Sequence, residues 1–167
     1  DAALVWGLLA TLYEGRARWA EAEAAYARSL EIGSAAQPYL AWRRAQMLRA
    51  LGRDADLAAA LNEPPDATLP LADQAAWREA LGDAYLRLAR PADALASYDA
   101  LLEFARQPDY RALITYKRAQ ALLALERRAE ALTELARLVV EQPQRPAALV
   151  ALQTLDGAED APSVDDL

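Results

Sequence analysis

The sequence predicts an all-α fold of antiparallel helix hairpins, and three observations carry that prediction. The 167 residues are rich in Ala, Leu, Arg and Glu and poor in Gly and β-branched residues, a composition that helices prefer and strands avoid. Apolar residues recur at the 3.6-residue helical spacing, and no segment alternates with a period of two. The chain also repeats itself at roughly 34 residues, the signature of stacked helical units. Its length suits one domain with a buried interior rather than two unrelated ones.

In chain order the pattern gives helices over 2–15, 19–33, 38–51, 54–61, 71–88, 91–106, 109–125, 128–141 and 145–154. In the first unit Trp6, Leu9, Ala10 and Tyr13 mark one helix, and Trp19, Ala22, Tyr26, Ser29 and Leu30 mark its partner. The second unit is the most degenerate, with Ala45, Leu48, Leu51, Gly52 and Leu57. Asn62-Glu63-Pro64-Pro65-Asp66 ends its second helix early, because consecutive prolines remove donors and exclude the α region before them. The third unit reads Leu81, Gly82, Tyr85 and Leu88, then Ala94, Tyr98, Leu101 and Leu102, with Trp77 one residue early. The fourth reads Ala119, Leu122 and Leu125, then Ala131, Leu135, Leu138 and Pro143. Units two and four echo each other directly, Trp42-Arg43-Arg44-Ala45-Gln46 against Tyr116-Lys117-Arg118-Ala119-Gln120, which points to a duplicated pair.

Local chemistry fits this division. Ala10, Ala45, Gly82 and Ala119 stand where the two helices of a hairpin must approach closely, and Tyr13, Tyr26, Tyr85 and Tyr98 fill the wider gaps. Pro38, Pro91 and Pro146 suit a first helical turn, where a missing N–H costs nothing, and Asp109 after Pro108 reads as an N-cap. The helix over 145–154 is expected to cover the last hairpin, and 156–167 to form an acidic tail or linker.

These residues resemble the tetratricopeptide repeat over positions 3–143, in which a large aromatic, a Leu-small pair and a Tyr mark the first helix of each unit. The resemblance implies a right-handed superhelical array of about four hairpins, at 3–36, 37–70, 75–108 and 112–145, plus the covering helix. It also implies that the first helices line a concave face made by Tyr39, Trp42, Arg43, Gln46, Arg49, Glu79, Asp83, Arg87, Tyr116, Lys117 and Gln120. Such a mixture of aromatics, Arg and amides suits a peptide, a protein domain or a glycan. Trp42 and Tyr116 have an alternative use as packing against the neighbouring hairpin. A second resemblance, carried by the hairpins and by the stretch from Leu152-Gln153-Thr154-Leu155 to Val164-Asp165-Asp166-Leu167, is to the α-superhelical region of bacterial soluble lytic transglycosylases. It implies a catalytic domain outside these residues.

Function classes narrow by composition. With no His and no Cys, the usual general base, thiol nucleophile, zinc-thiolate and disulfide chemistries are absent, so no catalytic residue, cofactor or metal site is expected. Glu79 and Asp83 lie four apart on one helix, but such a pair is ordinarily a solvated or groove-lining face. A net charge of −7 with scattered arginines offers no basic surface for nucleic acid. No apolar run reaches a membrane span. The heat-shock chaperone tails that some tetratricopeptide proteins grip are disfavoured, because those proteins use paired Lys and Asn where Gln46 and Gln120 stand here. Starting at Asp1 without Met, the chain reads as a segment of something longer, and its compartment, cytoplasmic or extracytoplasmic, stays open. The expectation is a non-catalytic scaffold for a protein or peptide partner, or for another domain of the same chain.

Overall fold

The structure is a computed structural model that describes residues 2–33 and 36–158. Among these residues there are nine helices and no strand: α1 (Ala2–Glu14), α2 (Trp19–Ile32), α3 (Gln37–Ala50), α4 (Asp54–Ala60), α5 (Leu71–Arg87), α6 (Pro91–Phe104), α7 (Pro108–Ala124), α8 (Arg128–Glu141) and α9 (Pro146–Asp156). Each expected boundary falls within two residues of the observed one. The N-cap expected at Asp109 is a correction. Pro108 itself opens α7 behind Gln107, since its missing N–H and fixed φ suit the first helical position. Asp109 lies inside the first turn and accepts a hydrogen bond from Arg145 instead. Of the expected tail, 159–167 lies outside the described residues. The chain divides into two compact units, 1–88 and 89–167.

In the first unit α1 turns small residues toward its neighbours. Ala3, Gly7 and Ala10 are buried, and a Cβ placed on Gly7 would stand 3.5 Å from Ser29 Oγ and 3.6 Å from Leu40 Cδ2. Ser29 Oγ donates to the Ala3 carbonyl at 2.6 Å, fixing α2 against α1. Ala10, Ala22, Ala25, Tyr26, Leu40 and Met47 form the core, with Tyr13, Trp19 and Leu30 packed around it.

The short α4 supplies only Leu57 and Ala58 to the interior from its seven residues, and aromatic side chains take the place of the missing helix. Trp42 and Trp77 stack with ring centroids 5.8 Å apart. The Trp77 indole N–H donates to the Leu61 carbonyl at 3.1 Å, satisfying an orphan acceptor at the end of α4. The Trp42 N–H donates to Asp73 at 3.2 Å.

The second unit buries Tyr98, Leu101, Ile114, Leu122, Leu132 and Leu135. Arg118 on α7 reaches Asp99 on α6 at 2.5 Å and also pairs with Glu134 on α8. Helix α9 packs on α7 and α8.

The even-numbered helices from α2 to α8 are all entered the same way. Ala17, Gly52, Ala89 and Glu126 adopt left-handed backbone, with φ of 55°, 67°, 54° and 60°. The next residue is Arg18, Arg53, Arg90 or Arg127, and each donates from Nε to the acid three positions on: Glu21, Asp56, Asp93 and Glu130, at 2.7 to 2.9 Å. The N–H groups of Arg18, Arg53 and Arg127 close back onto the Tyr13, Leu48 and Leu122 carbonyls at 2.9 to 3.0 Å, a Schellman closure of the preceding helix.

Candidate interaction face

Helix periodicity places Tyr39, Arg43, Gln46 and Arg49 on one stripe of α3, since offsets of 4, 7 and 10 residues return to the same side. Tyr39 is 49% exposed, Arg49 is exposed in the last turn, and Gln46 is half-buried. Glu79, Asp83 and Arg87 form a corresponding stripe of α5, at offsets of four. In the second unit, Tyr116, Lys117 and Gln120 stand on α7, where the Gln120 amide donates to the Tyr116 hydroxyl at 3.2 Å.

Two of these residues have other work. Of the two uses the sequence left open for Trp42, packing is the one observed and ligand contact is not: it is 4% exposed, stacked on Trp77 and bonded to Asp73. Arg87 forms a bidentate pair with Asp54, at 2.7 and 2.8 Å, and is held at the start of α4.

Electrostatics of the first unit centre on Glu14, which sequence reasoning missed. Its carboxylate accepts from the Tyr26 hydroxyl at 2.7 Å and pairs with Arg43, tying α1, α2 and α3 together at one point. Burial, with the Glu14 hydrogen bond adding to it, pushes the Tyr26 hydroxyl up to about 12. Burial is the largest single influence on the Arg43 guanidinium and acts to lower it, but the hydrogen bonds to Glu14 and Tyr26 and the charge of Glu14 together raise it by more. Arg43 also donates to Gln46 at 3.3 Å, so two residues of the α3 stripe are held in place. No local signal marks Glu14, because Arg43 lies 29 residues away in sequence.

Glu23 is a second buried acid. It is 7% exposed and accepts from Arg44 at 2.7 Å and Arg53 at 3.1 Å, a two-guanidinium cage that balances one desolvated carboxylate. In the second unit burial raises the Glu134 carboxyl despite Arg118 beside it. Among the described residues no group of acids is placed to hold a metal ion, and no helix is long and apolar enough to cross a membrane.

Helix hairpins joined by this recurrent turn, with small residues at the crossings and tyrosines in the gaps, define a tetratricopeptide-like helical repeat fold. Solved structures bear this out. YrrB, described as a TPR protein with an unusual peptide-binding site, superposes with a TM-score of 0.72 at 20% identity, over 91% of this chain and 75% of that one. The nearly identical TPR-like repeats of a kinesin light chain from Podosopora anserina give 0.66 at 16% identity, over 88% of this chain and 80% of that one. No protein-family model and no curated protein matches the sequence. The resemblance to lytic transglycosylases draws no support from these comparisons.

Proposed function

We propose that this chain is a non-catalytic scaffold that binds an extended peptide segment on the α3 and α5 faces of its first unit. The observation that carries the reading is the α3 stripe. Tyr39 presents a half-exposed ring and Arg49 an exposed cation, while Trp42 and the Glu14–Arg43 pair on the same helix are locked by packing and hydrogen bonds. A helix held rigid behind an exposed aromatic lowers the ordering cost of binding. The peptide-binding site described for YrrB, a protein of the same fold, supports the same use.

Selection from a displayed library of random linear peptides tests this, with affinities then measured by fluorescence anisotropy. Tyr39→Ala is expected to weaken the selected peptides by roughly thirtyfold, the effect of losing a hot-spot aromatic worth about 2 kcal/mol. Arg49→Ala weakens them less, and Arg137→Ala, exposed on α8, leaves them unchanged. Peptides that bind the Tyr39→Ala chain as tightly as the parent overturn the proposal.

A further inference from the structure

The acid that holds Arg43 is not part of the repeat. Glu14 stands four residues before the corner arginine Arg18, and the same place holds Arg49, Leu86 and Leu123 before Arg53, Arg90 and Arg127. Its side chain is 14% exposed and is fixed from two sides. The Tyr26 hydroxyl donates to Oε2 at 2.7 Å, and Arg43 spans both carboxylate oxygens, through Nε at 3.2 Å and through a terminal nitrogen. The Arg43 side chain is 28% exposed on the stripe that carries Tyr39, Gln46 and Arg49, and the Tyr39 phenol is near enough to act on its charge. A guanidinium thus stands on the peptide face with its fork for a carboxylate already filled.

The other terminal nitrogen of Arg43 donates to the Gln46 side-chain carbonyl at 3.3 Å. What is left over is the Gln46 amide N–H pair, which has no partner among the described residues. Arg49 has no ion pair among them either. Six residues beyond Arg43, it lies about 9 Å further along the helix axis and meets a different part of an extended ligand.

We infer that Glu14 is a specificity-determining residue of the α3 face: by holding the Arg43 guanidinium it excludes carboxylates there, so the ligand meets Arg43 and Gln46 with an uncharged acceptor, a main-chain carbonyl or an Asn or Gln side chain. The inference rests on the peptide reading of this face. A ligand carboxylate reaches Arg43 in the bidentate manner only by displacing Glu14, which leaves a largely buried acid beside Tyr26 without its cation. If Glu14 stays, two carboxylates share one guanidinium and repel each other, a device that rejects the wrong ligand rather than attracting the right one. A neutral carbonyl accepts from Gln46 and leaves the pair intact.

The test takes a peptide that the parent selects from the displayed library and replaces each of its residues in turn by Glu and by Gln, with affinities from fluorescence anisotropy. On the parent, any position that prefers Glu loses the preference in Arg49→Gln and keeps it in Arg43→Gln. On Glu14→Gln, whose amide carbonyl still accepts from Tyr26, one further position comes to prefer Glu by roughly tenfold, the worth of a charge-assisted hydrogen bond. The double variant Glu14→Gln/Arg43→Gln abolishes that preference. A tie that only held helices together would move no such preference. A parent preference for Glu that Arg43→Gln removes overturns the inference whether or not Glu14→Gln folds. So does a Glu14→Gln chain, shown to be folded by its melting transition, that gains no Glu position or keeps the gain in the double variant. Peptides that ignore Tyr39→Ala overturn the peptide reading itself, whereas a Tyr39-dependent peptide without these shifts overturns only the role of Glu14.

Discussion

Gly52 and Glu126 occupy the same left-handed position in two hairpin turns, with φ of 67° and 60°, so exchanging their residue types isolates the backbone cost of that corner. At Gly52 an added Cβ meets nothing within 4 Å, and packing therefore contributes nothing to Gly52→Ala. Left-handed backbone costs a non-glycine residue roughly 1–2 kcal/mol. The stiffer unfolded chain returns about 0.4–1 kcal/mol, leaving a net loss of about 1 kcal/mol. Glu126→Gly runs the exchange in reverse at an exposed position and is expected to gain about as much, a rise of roughly 2–4 °C in melting temperature. Urea titrations separate the two effects, because all four tryptophans, Trp6, Trp19, Trp42 and Trp77, lie in the first unit. Their fluorescence follows Gly52→Ala, whereas Glu126→Gly is followed by far-ultraviolet circular dichroism. A neutral Gly52→Ala, or a Glu126→Gly that lowers stability, would refute the backbone argument.

Ala94 is fully buried and Ala96 exposed, so Ala94→Phe should cost about 1–3 kcal/mol and Ala96→Phe no more than about 0.5; equal melting temperatures would show the α6 register to be wrong. Limited proteolysis should cut first within 62–70, where the chain between α4 and α5 lacks helical ladder bonds, and a first cut inside α6 would contradict this. The Tyr26 hydroxyl, raised from 10 to about 12, is held protonated by the folded state to higher pH than by the unfolded chain. Its contribution, at most about 2–3 kcal/mol, is intact below pH 10 and is lost as pH rises through 12. Tyr26→Phe, which loses the bond to Glu14, should be less stable than the parent at pH 7, and urea midpoints should bring the two together toward pH 12. A gap that stays constant over that range refutes the assignment.

The helices were legible because small residues at crossings and prolines at first turns are local signals. Pro38, Pro91 and Pro146 each fall at the first or second position of a helix. Trp42 was legible as an aromatic on α3, open to ligand contact or to packing; which of the two holds depends on Trp77, 35 residues away, and on an α4 too short to cover either ring. The cages around Glu14 and Glu23 were invisible for the same reason: their arginines come from other helices. One signal was present and unread. Arg18-Trp19-Ala20-Glu21, Arg53-Asp54-Ala55-Asp56, Arg90-Pro91-Ala92-Asp93 and Arg127-Arg128-Ala129-Glu130 share Arg, Ala and an acid at matching places, and that pattern alone fixes the phase of all four units.

The same corner has a consequence for how such a chain lengthens. Its groups all come from within a few residues of one another: a left-handed residue, an arginine whose N–H closes the previous turn, and the acid that arginine clamps. The turn and its clamp close locally, even though Arg53 reaches Glu23 as well, 30 residues away. A genetic duplication that breaks and rejoins at it restores a complete corner on both sides, at spacings of 35 to 37 residues. Growth by whole hairpins is then the least disruptive kind of insertion this sequence can accept, and the echo between the Trp42 and Tyr116 segments is the imprint such an event would leave.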